Sequence, residues 1–179
     1  MIRFMMLISI FVAMVFPLNA QPQESWFRTY DYNRQDLFHD VYALPDGGYV
    51  ACGETGPGNQ ARDRQANMLV VKVDENGNEI WSVFFDVDGN YEEGRSIIDT
   101  DNGDIIVGGV SKTNDGINQF SAWRISPEGE QIWINTYGLS WCYAVIELKS
   151  GEFLLSGRDE LNALLVLIDG DGNAIWRRE

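Results

Sequence analysis

A chain of 179 residues with 45% apolar content is long enough for one globular domain and too apolar for a disordered one. Its 27 acidic against 13 basic side chains, a net charge of −14, disfavour a nucleic-acid partner or an anionic membrane surface, because phosphate recognition needs a basic face. Two cysteines, Cys52 and Cys142, leave room for a single disulfide, so no disulfide framework organises the fold.

The chain opens with Arg3 and an unbroken apolar run from Phe4 to Phe16, followed by Pro17 and Leu18-Asn19-Ala20. Residues 1–20 read as a signal peptide, because thirteen apolar residues rise about 20 Å as a helix against a hydrocarbon core of ~30 Å. Cleavage after Ala20 leaves residues 21–179 with 12 basic and 27 acidic side chains, a net of −15. The expected location is outside the cell or on its surface, with no membrane insertion after cleavage.

Beyond the leader the sequence repeats. Gly47-Gly48-Tyr49-Val50-Ala51-Cys52-Gly53 aligns with Gly103 to Gly109 and with Gly151 to Gly157, each with two glycines six apart around an apolar run. Downstream of each comes Gly-x-x-Ile-Trp, at Gly77 to Trp81, Gly129 to Trp133 and Gly172 to Trp176. The stretch from second glycine to Trp shortens from 28 to 24 to 19 residues, which loops between strands absorb. Each copy predicts four strands, A (such as Asp40 to Leu44), B (Tyr49 to Gly53), C (Met68 to Val73) and D (Glu79 to Phe85), in repeats spanning about 38–86, 94–138 and 142–179. The apolar runs Met68 to Val71, Ile105 to Val107 and Leu164 to Ile168 predict strands buried on both faces. The C-to-D connections, Asp74 to Asn78, Ser126 to Glu130 and Asp169 to Asn173, fit one hairpin in which a type I turn ends in a left-handed glycine. Gly77, Gly129 and Gly172 are therefore structural anchors, and Trp81, Trp133 and Trp176 are packing residues that fill the ~10 Å between neighbouring sheets.

The fold expected is all-β: three four-stranded antiparallel sheets arranged as β-propeller-like blades. Upstream, Trp26-Phe27-Arg28-Thr29-Tyr30 matches Trp133-Ile134-Asn135-Thr136-Tyr137 and predicts an extra N-terminal strand of type D over 25–31. Three blades do not close a ring of the usual four to eight. The expectation is an incomplete propeller, the N-terminal part of a longer protein, completed by missing blades or by self-association.

The Asp-Gly-Gly-Tyr element followed by two apolar strands and Gly-Asn-x-x-Trp is similar to the propeller-like repeats of secreted Bacteroidetes-type proteins, which often carry a C-terminal sorting domain for type IX secretion. The resemblance covers residues 24–179 and implies architecture rather than activity. Val73 to Trp81 also looks like the tryptophan docking element of quinoprotein propellers, with one residue fewer between Asp and Gly. That likeness implies stacking geometry only, since the cofactor-holding features of those enzymes are not matched.

Tight turns at the A–B and C–D connections leave the longer loops, Asp31 to Phe38, Pro57 to Ala66, Asp86 to Gly94 and Ser111 to Gln119, at the other end of the sheets. Functional residues favour loops on a rigid scaffold, which makes Arg62, Arg64, Asp88, Tyr91, Glu92, Glu93 and Trp141 the candidate binding residues. Trp141 is either a stacking surface for a sugar or peptide or a core residue. Catalysis is disfavoured: His39 is the sole histidine, read as structural, and no nucleophile elbow or Gly-rich phosphate loop accompanies it. Paired acids for glycoside hydrolysis are abundant, but nothing selects a pair. The sequence thus points to a non-catalytic binding scaffold for a protein or carbohydrate ligand, without cofactor or metal. The alternatives are a fragment of a propeller enzyme, glycosidase-like or quinone-dependent, and a purely structural repeat segment.

Overall fold

The computed structural model describes residues 26–32, 34–56, 66–87 and 89–179. Residues 1–20, read as a signal peptide, lie outside them, as do Arg62, Arg64 and Asp88. The described residues form twelve strands and no helix, in three four-stranded antiparallel meanders. Sheet 1 contains β1 (Gln35–Ala43), β2 (Tyr49–Gly56), β3 (Asn67–Val73) and β4 (Glu79–Phe85). Sheet 2 contains β5 (Glu92–Asp99), β6 (Ile105–Lys112), β7 (Asn118–Ile125) and β8 (Gln131–Leu139). Sheet 3 contains β9 (Trp141–Glu147), β10 (Phe153–Asp159), β11 (Asn162–Ile168) and β12 (Ala174–Arg178). The strands β1, β5 and β9 adjoin along one edge, β5 lying against β1 and β9 against β5.

Two apolar layers hold the three sheets together. Val50, Cys52, Met68, Val70 and Phe85 of sheet 1 pack on Ile97, Ile105, Val107, Trp123 and Ile125 of sheet 2. Ile106, Phe120 and Ala122 on the opposite face of sheet 2 pack on Cys142, Val145, Phe153, Leu155, Leu164, Val166 and Ile168 of sheet 3. Each fully buried aliphatic or aromatic side chain in these layers contributes roughly 1.5–3 kcal/mol. Cys52 and Cys142 lie in different layers, free and buried, and desolvation raises both thiols above their ordinary pKa.

The expectation of burial on both faces holds for Met68 to Val71 and for Ile105 to Val107, all no more than 1% exposed. It does not hold for the third repeat. Leu164 and Val166 are 1% exposed while Leu165 between them is 40% exposed, because among the described residues no further sheet covers that face.

The Gly-x-x-Ile-Trp element resolves into three jobs. Its glycine takes positive φ at the C–D turn, its Ile occupies a register shift at the start of the fourth strand, and its Trp, at Trp81 and Trp133, packs against the layer shared with the next sheet. Trp81 Nε1 donates to the carbonyl of Pro127 at 3.0 Å and Trp133 Nε1 to that of Gly170 at 3.2 Å, in each case two residues before the turn glycine of the following sheet. Trp176 is half-buried, has Arg178 over its ring at 5.7 Å, and belongs to neither core layer.

Residues 26–32 form no strand, which corrects the expectation of an extra one over 25–31; a lone fourth strand has no third strand of its own among the described residues to pair with. What the segment shares with β8 is the docking contact. Trp26 Nε1 donates to Glu75 O at 3.0 Å and the Tyr30 hydroxyl to Gly77 O at 2.9 Å, as the Tyr137 hydroxyl does to Gly172 O at 2.9 Å. Tyr30 and Tyr32 pack against Leu69, Val71 and Val73 on the outer face of sheet 1.

Candidate functional site

The first strand of every sheet carries a bulge at the same place. Its register with the second strand shifts between Phe38 and Asp40, between Gly94 and Ser96, and, in sheet 3, beside Cys142 and Ala144. His39, Arg95 and Tyr143 are the extra residues. The bulge presses a strand-A carbonyl onto the second glycine of each paired-glycine motif: a Cβ on Gly53, Gly109 or Gly157 would lie 1.8, 1.9 or 2.0 Å from the oxygen of Leu37, Glu93 or Trp141. Those glycines are therefore required by close approach of another backbone.

The residue after the bulge hooks each sheet to the next. Asp40 Oδ2 accepts the Ile97 N–H at 2.9 Å, and Ser96 Oγ accepts the Val145 N–H at 3.3 Å. The bulged side chain itself reaches the residue two before the bulge of the following sheet. His39 Nε2 lies 2.8 Å from Glu93 Oε1, and the Arg95 guanidinium sits over the Trp141 ring at 4.9 Å.

These contacts build a polar cluster at the junction of β1, β2 and β5. The Glu93 carboxylate is 1% exposed. Burying a carboxylate costs several kcal/mol unless it is paired, and here it has partners on both oxygens. Arg95 Nε forms an ion pair with Oε1 at 2.6 Å beside His39, while the Tyr91 hydroxyl donates to Oε2 at 2.5 Å. Desolvation, followed by hydrogen bonds to Glu54 and Glu93, holds the Tyr91 phenol far above its ordinary pKa of 10.0, so it remains a donor. Lys112 Nζ covers the Tyr91 ring at 4.8 Å. His39, Glu54 and Glu93 each bring one potential ligand atom to within 4.8 Å of the others, and His39 keeps a quarter of its side chain exposed.

Of the residues singled out from sequence, Tyr91, Glu93 and Trp141 meet in this cluster. Glu92 and Glu93 are the first residues of β5 and are 0% and 1% exposed, whereas the sequence placed them on a solvated loop. Trp141 is half-buried at the start of β9 beneath Arg95. His39, Glu54 and Arg95 were not selected. Carrying the paired-glycine alignment back eight residues from Gly47, Gly103 and Gly151 pairs His39 with Arg95 and Tyr143, but the bulge that makes this position special has no sequence mark of its own. Short connections also occur at the end expected to carry long loops: only Ser140, at φ 87°, separates β8 from β9, and Glu160 and Leu161 separate β10 from β11.

No family model matches this sequence, and no curated protein matches it. In fold the chain is similar to a solved structure described as the crystal structure of the eukaryotic initiation factor, with a TM-score of 0.56 and 14% identity over 86% of this chain. The match spans 35% of that chain, about a third of its length. At this identity the likeness is one of fold alone.

Proposed function

We propose that this chain is a non-catalytic binding module of β-propeller type that works outside the cell, with a protein or carbohydrate ligand met where the bulged strands β1, β5 and β9 converge. The observation that carries the reading is the Glu93 cluster, in which residues from two sheets hold a buried carboxylate while His39, Arg95 and Trp141 around it each stay partly exposed. An arginine over a half-buried tryptophan offers a flat apolar ring and directional N–H donors together, the combination suited to a sugar face or an acidic peptide. The test is binding of the mature chain to glycan and peptide arrays. Signals lost in Trp141→Ala and Arg95→Ala, with folding retained, support the reading; an array profile indifferent to both substitutions sinks it. Secretion is tested separately, by sequencing the N-terminus of the exported product, which should begin at Gln21.

A glycosidase reading would rest on a pair such as Glu54 and Glu93, whose oxygens approach within 4.8 Å. Burial of Glu93 and its ion pair with Arg95 weigh against it, because a nucleophile or acid must reach the substrate.

The partner expected for the outer face of sheet 3 is a further sheet of the same repeat. Across that sheet Ile146, Leu154, Leu167 and Trp176 are successive cross-strand partners, as Ile98, Ile106, Arg124 and Trp133 are on the face of sheet 2 that carries sheet 3. Ile146 is 52% exposed, and Trp176 occupies the docking position. Such a sheet in a longer chain would extend the stack towards a closed propeller.

A further inference from the structure

We propose that His39, Glu54 and Glu93 form a binding site for a divalent transition-metal cation of the Zn2+ type. This goes beyond the binding-module reading and does not depend on it. One imidazole nitrogen and two carboxylates are a borderline donor set that suits Zn2+ better than the all-oxygen cations Ca2+ and Mg2+. The three ligand atoms already lie within 4.8 Å of one another, and His39 Nε2 is 2.8 Å from Glu93 Oε1. Zn2+ bonds of about 2.0–2.2 Å place ligand atoms roughly 3–3.5 Å apart, so the site closes by a small movement of Glu54 and His39. The His39 side chain is a quarter exposed, and Glu54 is half-buried with a hydrogen bond to Tyr91 that a bound cation would replace.

Glu93 is the fixed member. Tyr91 holds its Oε2 through a 2.5 Å hydrogen bond, leaving Oε1 to face His39. That is the outer-shell support that orients a ligating carboxylate. Arg95 is the competitor, with Nε at 2.6 Å from the same Oε1. Its guanidinium already rests on Trp141 and can remain there when a cation takes its place on the carboxylate. The register explains why the second sheet-to-sheet junction does not repeat the site. The equivalent contact between sheets 2 and 3 joins Arg95 to Trp141, and neither side chain ligates a metal.

The experiment uses the untagged mature chain, stripped with a chelator, and titrates ZnCl2, MnCl2 and CaCl2 by calorimetry while following the single imidazole by NMR. The expected result is stoichiometric Zn2+ binding that shifts the His39 ring-nitrogen signals and weakens at least about tenfold in His39→Ala and in Glu54→Gln. Arg95→Gln removes the competing charge, so Zn2+ binding should tighten and the melting temperature of this variant should rise on Zn2+ addition by more than that of the unmodified chain. Zn2+ uptake that leaves the imidazole signals unmoved, or that is unaffected by His39→Ala and Glu54→Gln, overturns the proposal, as does absence of stoichiometric binding.

Discussion

The indole N–H of Trp133 donates to the carbonyl oxygen of Gly170 at 3.2 Å, and its ring fills the space that a Cβ on Gly172 would enter at 3.1 Å. Trp81 stands in the same relation to Pro127 and Gly129, and Trp26 to Glu75 and Gly77. One bond and one missing Cβ recur at each step of the stack.

Trp133→Ala and Trp81→Ala are therefore expected to destabilise the chain by about 2–4 kcal/mol each, chiefly through lost contact area; Trp81→Ala also removes the donor to the Pro127 carbonyl, whereas Gly170 O keeps Arg124 Nη1 at 2.5 Å. Trp176→Ala should cost less than about 1 kcal/mol, because Trp176 belongs to neither core layer. Urea unfolding of the three variants measures this order. Equal losses at all three positions would mean that Trp176 is already docked on something in the isolated chain.

Gly109→Ala and Gly157→Ala should abolish folding or cost more than about 3 kcal/mol, since a methyl group at 1.9–2.0 Å from a carbonyl oxygen forces strand A away from strand B. Gly89→Ala is the control. Nothing lies within 4 Å of its added Cβ, so only its φ of +71° opposes the change, a cost of about 1–2 kcal/mol. Soluble yield and thermal melting distinguish the two kinds of glycine.

The hooks between the first strands predict a pair of moderate losses. Asp40→Ala leaves the Ile97 N–H without its 2.9 Å acceptor and should cost about 1–3 kcal/mol, and Ser96→Ala does the same to the buried Val145 N–H. Amide hydrogen exchange should speed at Ile97 in the first variant and at Val145 in the second, and nowhere else to the same degree.

Stability should fall at both ends of the pH scale. Hydrogen bonds from Asn78 and Asn173 hold the carboxyls of Asp74 and Asp169 below the ordinary 3.8. A lowered folded value gives a contribution that is complete above about pH 4 and disappears as pH falls through that lowered value. Burial raises Tyr32, Tyr91 and Tyr137, so theirs is complete below about pH 10 and is lost as pH rises through the raised values. Asp99, raised by desolvation, opposes the acid trend. Denaturation midpoints from pH 2.5 to 7 should lose part of their acid slope in Asp74→Asn/Asp169→Asn; an unchanged slope would place the acid sensitivity elsewhere.

Three sheets, their strand order and their turns were legible in the sequence, because turn glycines and apolar runs act over four to eight residues. The extra strand expected over 25–31 does not form among residues 26–31 because Trp26 and Tyr30 carry the docking pattern of β8 without a ladder partner for a strand. Glu93 falls within the stretch Asp86 to Gly94 that reads as a loop, and nothing local shows that β5 begins at Glu92.

By itself the sequence determined the all-β repeat, since positive φ at a hairpin glycine and short apolar runs bounded by turns are local requirements that only certain residues meet. Tertiary structure decided what Gly-x-x-Ile-Trp is for. The partners Trp81 and Pro127 are 46 residues apart, Asp40 and Ile97 are 57 apart, and the bulge that turns His39 towards Glu93 shifts the register by a single residue. A one-residue shift leaves composition and spacing almost unchanged while redirecting every side chain beyond it, so only the packed sheets could reveal it.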